Sequence, residues 1–332
     1  MIGIIVSSME CNLSCRYCYE HGPKRIYGAS RTDINDAYAA AQGRIHSFIE
    51  TVSELAAELG RSAQFILHGG EPLLLSPQNL EDTLVHIRAC GDTAVQFQTN
   101  GTLVTPDAAE LLAAYRAAVV VSLDGPPHLH DTYRIDGGGT GTFRRVMQGI
   151  DLLKSKEIPV AALCTVTDVA VGNAGALFDF FRKSSLDFSV NRCFPWRSGG
   201  TPGSANEGAY RQFLSELFAL YTNAASKDIA IPCFDRCLHD LRPEEGGYSY
   251  HPQSSPYISL YNVTADKLWL LTPQSLLRCH DLQVYVREIR IQSHRRPLAE
   301  DVHYVGTLTQ CVVEHLCEQQ QKDYINALKV NQ

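Results

Sequence analysis

Short apolar runs alternate with helical segments over the first 226 residues, and this alternation restricts the fold more than any other feature of the sequence. The runs are IGIIVSS, AQFILH, TAVQFQTN, AAVVVSLDG, PVAALCTVT and LDFSVNRCF. Short apolar runs favour buried strands, and strands that alternate with helices form parallel sheets with right-handed crossovers. Six such units predict an α/β fold, a partial (β/α)6 TIM-like barrel that is left open on one side.

The pattern changes in the last third of the chain, where helical periodicity lapses. We expect a loop in RPEEGGYSYHPQSSPY, a β-hairpin in YISLYNVTADKLWLLTPQSLLRCHDL and a final helix in TLTQCVVEHLCEQQQKDYINALK. The sequence therefore predicts two domains. The partial barrel spans residues 1–226, and a small α+β extension spans residues 227–332.

The composition disfavours some classes of function. The chain has 29 basic and 36 acidic residues, and its net charge of −7 disfavours a protein built to hold nucleic acid. No apolar run is long enough to span a bilayer and the amino terminus does not resemble a signal peptide, so we expect a cytoplasmic protein without a membrane partner. In that reducing compartment, the 11 cysteines favour metal ligands or buried thiols over disulfides.

Polar and glycine residues follow the strands at the ends where an α/β barrel has its active site. The second strand is followed by HGGEP, the third by TNG and the fourth by SLDG. Each segment taken alone is also a common turn. Because the carboxyl ends of parallel strands meet at one edge of a sheet, we expect these segments to lie together and form one site.

Three cysteines follow the first strand in the stretch MECNLSCRYCYEHG: Cys11, Cys15 and Cys18. A disulfide framework, a zinc site and a redox pair each fit this number poorly, since structural zinc takes four ligands and a redox motif needs two cysteines. A four-iron cluster takes one thiolate per iron, so three cysteines leave one iron open to a ligand from outside the protein.

The motifs CNLSCRYCYE, HGGEP, QTNGTLVT and SLDGPPHLHDTYR occur in this order at the ends of successive strands. In this respect the chain resembles radical SAM enzymes, in which three cysteines with this spacing hold a [4Fe-4S] cluster and S-adenosylmethionine (SAM) binds the fourth iron. The resemblance extends from residue 1 to about residue 226. It is to the subgroup of anaerobic sulfatase-maturating and peptide-modifying enzymes, which carry a C-terminal SPASM or twitch domain.

The resemblance implies roles for individual residues near the cluster and the adenine. The residues that would bind the cluster are Cys11, Cys15 and Cys18. Tyr17, between the last two cysteines, would pack beside the adenine, and the strand that ends at Val166 would offer its backbone to the adenine.

Further residues are implied in binding the methionine and ribose parts of SAM. Arg134 would pair with the methionine carboxylate, and Ser122 would reach the ribose or that carboxylate. Asn100 and Asp124 are interpreted as ribose-binding or turn residues. The edge that would receive the methionine amino group consists of Gly69, Gly70, Glu71 and Pro72.

The chemistry implied by the resemblance is reductive cleavage of SAM to a 5′-deoxyadenosyl radical, which abstracts a hydrogen from a C–H bond. We expect a ribosomally synthesised peptide as the substrate, although the chain begins at the first strand and is expected to lack a peptide-recognition domain in front of it. A small molecule such as a sugar or aminocyclitol is the alternative substrate, and a non-catalytic metal-binding protein is a more distant alternative. An electron donor such as flavodoxin or ferredoxin is the expected protein partner.

The cysteines of the C-terminal region depart from the family pattern, because the dense final run of cysteines is missing. One hypothesis is a single auxiliary iron–sulfur cluster held by Cys233, Cys237 and Cys279. Its fourth ligand would be one of Cys193, Cys311 or Cys317. The alternative is a degenerate domain with ordinary buried thiols. Asp281, next to His280, is a candidate general base.

Overall fold

The fold is described from a computed structural model. It describes residues 2–18, 29–58, 60–193, 200–224 and 228–235, together with the backbone of six short strands between residues 241 and 304.

Six strands form a parallel sheet in the order in which they occur along the chain. They are β1 (Ile2–Val6), β2 (Gln64–His68), β3 (Ala94–Thr99), β4 (Ala118–Ser122), β5 (Val160–Val166) and β6 (Asp187–Arg192). Every neighbouring pair from β1 to β6 is parallel. The predicted α/β partial barrel is confirmed, and the carboxyl ends of all six strands lie at one edge of the sheet.

Helices connect these strands and cover one face of the sheet. They are α1 (Arg31–Glu58), α2 (Pro77–Ala89), α3 (Pro106–Ala114), α4 (Pro127–Tyr133), α5 (Phe143–Ser155), α6 (Ala174–Lys183) and α7 (Glu207–Asn223). Two of them begin in the same way: the side chains of Ser76 and Thr105 accept hydrogen bonds from backbone N–H groups three residues later, and a proline takes the first helical position. None of the helices in the described part of the chain has the length and apolar content needed to cross a membrane.

The hydrophobic core lies between the sheet and the helices. Phe65 and Leu67 of β2 are fully buried in it, and a Cβ atom on Gly3 of β1 would meet Phe65 and Val52 of α1. Side chains alternate between the two faces of a strand, so the intervening residues of each strand face the opposite, concave side of the sheet. Burying each large apolar side chain contributes about 1.5–3 kcal/mol to the free energy of unfolding.

The C-terminal strands differ from the prediction in two respects. The segment expected to be a loop contains a two-stranded antiparallel hairpin, β7 (Leu241–Glu244) and β8 (Gly247–Tyr250), so the loop prediction was wrong there. Only two residues separate Glu244 from its partner Gly247, a spacing typical of a tight hairpin turn. Two short strands that had not been predicted, β11 (Tyr285–Ile289) and β12 (Val302–Tyr304), also pair.

The predicted hairpin is confirmed as β9 (Ile258–Asn262) and β10 (Lys267–Leu271), which are antiparallel. β9 also pairs with β1 in parallel, so the strands β9 to β12 extend the main sheet beyond β1. The predicted final helix lies outside the described residues. The domain boundary at residues 226 and 227 stays a prediction.

Candidate active site

The cysteine loop, residues 9–18, follows β1 and is held on one side by the segment after β2. The backbone N–H of Gly70 donates to the carbonyl of Ser8 at 2.8 Å, and that of Glu71 donates to the carbonyl of Glu10 at 2.9 Å. A Cβ atom on Gly70 would lie 2.1 Å from the Glu10 carbonyl oxygen. At Gly69, φ is +130° and a Cβ atom would lie 2.3 Å from the Ser8 carbonyl oxygen. The two glycines are therefore required for this close approach of two backbones.

The other side of the cysteine loop is held by the segment after α4. The N–H of Ser14 donates to the carbonyl of Ile135 at 2.7 Å, and the N–H of Arg16 donates to that of Tyr133 at 2.9 Å. Leu13 also forms an antiparallel bridge with Asp136. The loop is thus fixed between the ends of two βα units. This contact lies close to the start of the chain, with only 13 residues before Ser14.

A third contact joins the cysteine loop to the segment after β3. The Asn100 side-chain amide donates to Asn12 Oδ1 at 2.8 Å, and Asn12 Nδ2 donates to Thr102 Oγ1 at the same distance. Thr102 Oγ1 in turn donates to Asn100 Oδ1 at 2.7 Å. Three side chains therefore form a closed hydrogen-bonded ring beside Cys11.

The three predicted cluster ligands are partly buried, and no disulfide joins any of the described cysteines. The N–H of Cys18 donates to the carbonyl of Cys15 at 3.2 Å, which forms a turn between them. Cys11 Sγ accepts hydrogen bonds from the Leu13 N–H at 3.4 Å and from Asn100 Nδ2 at 3.7 Å. Within the described residues, no three His, Cys, Asp or Glu side chains are close enough to share one metal ion.

Burial affects the protonation of two of these thiols, Cys11 and Cys15. It raises the pKa of Cys11 to about 12, and the negative charge of Glu71 adds to this shift. Burial also raises the pKa of Cys15, while the positive charge of Arg134 opposes the shift. Both groups are neutral thiols at pH 7 in the absence of a metal, and a bound metal centre would displace their protons.

Glu71 is buried, and its carboxylate is bound within the protein. Oε1 accepts hydrogen bonds from the Leu73 N–H at 2.9 Å and from the Thr99 hydroxyl at 2.7 Å, and Oε2 accepts one from the Asn100 N–H at 2.7 Å. It also caps a short 3-10 helix, Pro72–Leu74, which had not been predicted. Burial raises the pKa of Glu71 to about 6, and the three hydrogen bonds oppose that shift.

Asp124 and Arg134 form an ion pair beneath the cysteine loop. Arg134 donates from Nε and Nη2 to the two oxygens of Asp124, and only 2% of the Asp124 side chain is exposed. The Tyr17 hydroxyl donates to the same carboxylate at 2.5 Å, and the Thr165 N–H donates to it at 2.8 Å. The Arg134 guanidinium lies 5.3 Å from the centre of the Tyr17 ring. The network therefore connects the ends of β4 and β5 to the cysteine loop.

The remaining predicted SAM-binding residues occupy different faces of the sheet. Ser122 is partly exposed and alternates with the core residue Val121, so it lies on the concave face. The side chain of Val166 is buried in the core, and its carbonyl accepts a hydrogen bond from the Cys193 N–H at 2.9 Å.

Two buried histidines of the site lie inside the quoted motifs but were given no role toward the cofactors: His68 begins HGGEP and His130 lies in SLDGPPHLHDTYR. His130 Nδ1 accepts a hydrogen bond from the Asp124 N–H at 3.2 Å, and its Nε2 lies 3.0 Å from the Thr142 hydroxyl. That hydroxyl donates to the Arg134 carbonyl, so Nε2 carries the proton and donates to Thr142. His68 ends β2, and its buried Nδ1 has no hydrogen-bond partner in the described part of the chain. Burial lowers the pKa of both rings to about 4.

Candidate residues of the C-terminal region are only partly described. Cys233 is partly buried and packs against the main core. Cys193 is buried in a small cluster with Tyr17 and Tyr133. The other candidates lie outside the described residues: Cys237, Cys279, Asp281, Cys311 and Cys317.

Comparison with known families decides the membership. The model of the Radical SAM superfamily matches residues 5–174, slightly more than half of the chain. The chain belongs to the radical SAM superfamily. Its enzymes use a [4Fe-4S] cluster and SAM, so these are the cofactors of this chain as well. The match spans the cysteine loop, HGGEP, TNG and SLDG, and it ends at the start of α6.

Named relatives of this radical SAM chain include two anaerobic sulfatase-maturating enzymes. The cysteine-type enzyme of Clostridium perfringens (strain 13 / Type A) is 26% identical over 228 residues, which cover 65% of this chain and 58% of that protein. The serine-type enzyme of Bacteroides thetaiotaomicron is 32% identical over 258 residues, which cover 71% of this chain and 61% of that protein. The chain thus matches about three fifths of the length of each relative.

A solved structure is similar over most of the fold. Native anSMEcpe with bound AdoMet and Cp18Cys peptide superimposes with a TM-score of 0.59 and is 25% identical, over 72% of this chain and 64% of that one. The membership and these relatives make the chain an enzyme. The cysteine loop fits the superfamily's cofactors by the type of its donors, since it carries three partly buried cysteines between residues 11 and 18. The buried Nδ1 of His68, at the end of β2, has no hydrogen-bond partner in the described part of the chain and offers a further polar atom.

Proposed function

We propose that Cys11, Cys15 and Cys18 hold the [4Fe-4S] cluster and that SAM binds beside it. The observation that carries this assignment is the cysteine loop itself, which is hydrogen-bonded to the segments after β2, β3 and α4. The three cysteines would hold a cluster that, when bound, would supply one-electron reductive cleavage of SAM to a 5′-deoxyadenosyl radical, which would abstract a hydrogen from a substrate C–H bond.

The residues around the loop orient the cosubstrate. Glu71, Gly69, Gly70 and Pro72 form the edge that receives the methionine amino group. Arg134 binds the methionine carboxylate while Asp124 holds its guanidinium in place, and Tyr17 and Ser122 contact the nucleoside. Glu71 and Asp124 are 1% and 2% exposed and their carboxylates accept hydrogen bonds from neighbouring residues, which supports a fixed arrangement of these side chains.

The proposed substrate is a ribosomally synthesised peptide that is crosslinked, epimerised or oxidised. Two observations support it. The relatives are sulfatase-maturating enzymes, and the similar solved structure contains a peptide. In addition, neutral hydrogen-bonding side chains lie among apolar ones on the face of the sheet opposite the core, and such groups pair with peptide backbone amides: Gln64, Gln96, Gln98, Ser122, Thr165, Ser189 and Asn191.

The test uses protein that is reconstituted with iron and sulfide without oxygen. Given SAM and dithionite, it should release 5′-deoxyadenosine, and the C15A variant should release none. A well-formed cluster without that product would contradict the proposed activity and favour a non-catalytic metal protein.

The substrate class is tested with deuterium. A peptide deuterated at Cα or Cβ should transfer deuterium to 5′-deoxyadenosine, whereas transfer only from a deuterated sugar or aminocyclitol would identify a small-molecule enzyme. We further propose that a flavodoxin or ferredoxin supplies the electron, so reduced flavodoxin should replace dithionite in this assay.

An auxiliary iron–sulfur cluster at Cys233, Cys237 and Cys279 is proposed as a second metal site. Cys233 is partly buried at the edge of the main core, where a cluster would be shielded on one side. The spacing of Cys233 and Cys237 supports two ligands from one short segment.

A further inference from the structure

Asn100 lies between the proposed cluster ligand Cys11 and the buried carboxylate of Glu71. It follows β3 directly and is 7% exposed. Its backbone N–H donates to Glu71 Oε2 at 2.7 Å, and its side-chain Nδ2 donates to Cys11 Sγ at 3.7 Å. Asn100 therefore contacts the proposed cluster-binding part of the site through Cys11 and the proposed SAM-binding part through Glu71.

The orientation of the Asn100 amide follows from its neighbours. Its Oδ1 accepts hydrogen bonds from the Thr102 backbone N–H at 2.9 Å and from the Thr102 hydroxyl at 2.7 Å. A backbone N–H can only donate, so the atom that faces it must be the amide oxygen. The NH2 group must then be the one that faces Cys11 and Asn12.

Two N–H groups converge on Cys11 Sγ. The second comes from the backbone of Leu13, at 3.4 Å. N–H groups that point at a ligating thiolate stabilise its negative charge, and the more reduced state of a cluster carries more of that charge. Hydrogen bonds to cluster sulfurs therefore make the cluster easier to reduce.

We infer that Asn100 is a positioning residue that raises the reduction potential of the cluster through its N–H···S hydrogen bond to Cys11. This role rests on the proposed ligation by Cys11, Cys15 and Cys18. It differs from ribose binding, the role expected from the family resemblance, because it acts on the cluster before SAM arrives.

The test compares midpoint potentials in reconstituted protein without SAM, followed by electron paramagnetic resonance during a redox titration. N100A removes the donor, and N100D keeps the shape and the acceptor toward Thr102 but replaces the donor with an oxygen. T102V is the matched control, because it disturbs the same ring yet leaves the Thr102 N–H to orient the Asn100 amide.

Each Asn100 variant should be harder to reduce by about tenfold in the equilibrium constant, which corresponds to about 59 mV for a one-electron couple. T102V should keep the wild-type potential. Equal potentials in wild type, N100A and N100D would overturn the inference. If neither variant assembles a cluster while wild type does, Asn100 serves assembly and the inference is also wrong. A wild type that assembles no cluster would instead refute the proposed ligation.

Discussion

The guanidinium of Arg134 and the carboxylate of Asp124 form a two-pronged ion pair, with Nε–Oδ2 and Nη2–Oδ1 distances of 2.8 and 3.1 Å. Both side chains are less than 10% exposed. The pair also anchors the Tyr17 hydroxyl, so it connects the end of β4 to the segment between Cys15 and Cys18.

The D124N substitution should destabilise the cofactor-free protein by about 3–5 kcal/mol, because it leaves the buried Arg134 charge without its partner. Urea unfolding under reducing conditions measures this. E110Q is the control, since Glu110 and Lys156 form an exposed pair whose loss should cost less than about 1 kcal/mol. Equal unfolding midpoints for D124N and E110Q would show that the ion pair does not stabilise the fold.

The G70A substitution should displace the cysteine loop, since the new methyl group would overlap the Glu10 carbonyl. We expect a loss of about 3 kcal/mol in the free energy of unfolding and a reconstituted protein that lacks the iron of the cysteine-loop cluster, about four irons per chain. Gly43 of α1 has no atom within 4 Å of its Cβ position, so G43A should be stabilising by up to about 1 kcal/mol and should bind iron normally. Full iron content in G70A would mean that the loop tolerates a shift away from the segment after β2.

His130 should make the fold sensitive to acid. Its folded pKa of about 4 lies below the ordinary value of 6.5, so between these two values the unfolded chain binds a proton that the folded chain does not. Stability from this group is therefore complete above pH 6.5 and is lost as the pH falls toward 4. The loss from pH 7 to pH 5 should be about 2 kcal/mol.

The H130Q variant measures this effect, because it removes the titrating ring. Its unfolding free energy should fall less steeply between pH 7 and 5 than that of wild type. His128 lies on the same helix with an exposed side chain, and H128Q should keep the wild-type slope. His68 and Glu71 titrate in both proteins, so their contributions cancel in the comparison. Identical slopes for H130Q and wild type would mean that the buried ring is protonated without cost.

Iron analysis tests the auxiliary cluster. Wild type should bind about eight irons per chain, and the C11A/C15A/C18A variant should keep about four. Adding C233S to that variant should reduce the remaining iron. About four irons in wild type, together with none in the triple variant, would restrict the chain to the cluster in the cysteine loop.

The backbone of the barrel was predictable from local sequence, whereas several contacts of the site were not. The apolar runs and the Ser76–Pro77 and Thr105–Pro106 pairs determine strands and helix starts through interactions within a few residues. The seven-residue helix α4 was missed because it is too short to show a hydrophobic period. The hairpin of β7 and β8 was missed because its glycine- and proline-rich sequence is typical of loops.

At the carboxyl ends of the strands, which side chains pair with each other depends on the distances between separate strands. The sequence predicted that Asp124 and Arg134 belong to one site. It did not predict that they pair with each other, which follows from the helix α4 between them, because α4 brings Arg134 back to the end of β4. Likewise, Asn100 was interpreted as a ribose or turn residue, and only the structure places its amide against Cys11. The roles of these residues toward SAM stay predictions.

The pairing of β9 with β1 has a consequence for how the protein is made. Ile2 pairs with Ile258, so the strand that leads into the cysteine loop receives its second neighbour from a segment synthesised 256 residues later. During translation, the six strands of the barrel can associate while one edge of β1 still has unpaired N–H and C=O groups. We expect nascent or truncated chains that end before β9 to aggregate through this edge, and cluster insertion should be most efficient after β9 has paired with β1.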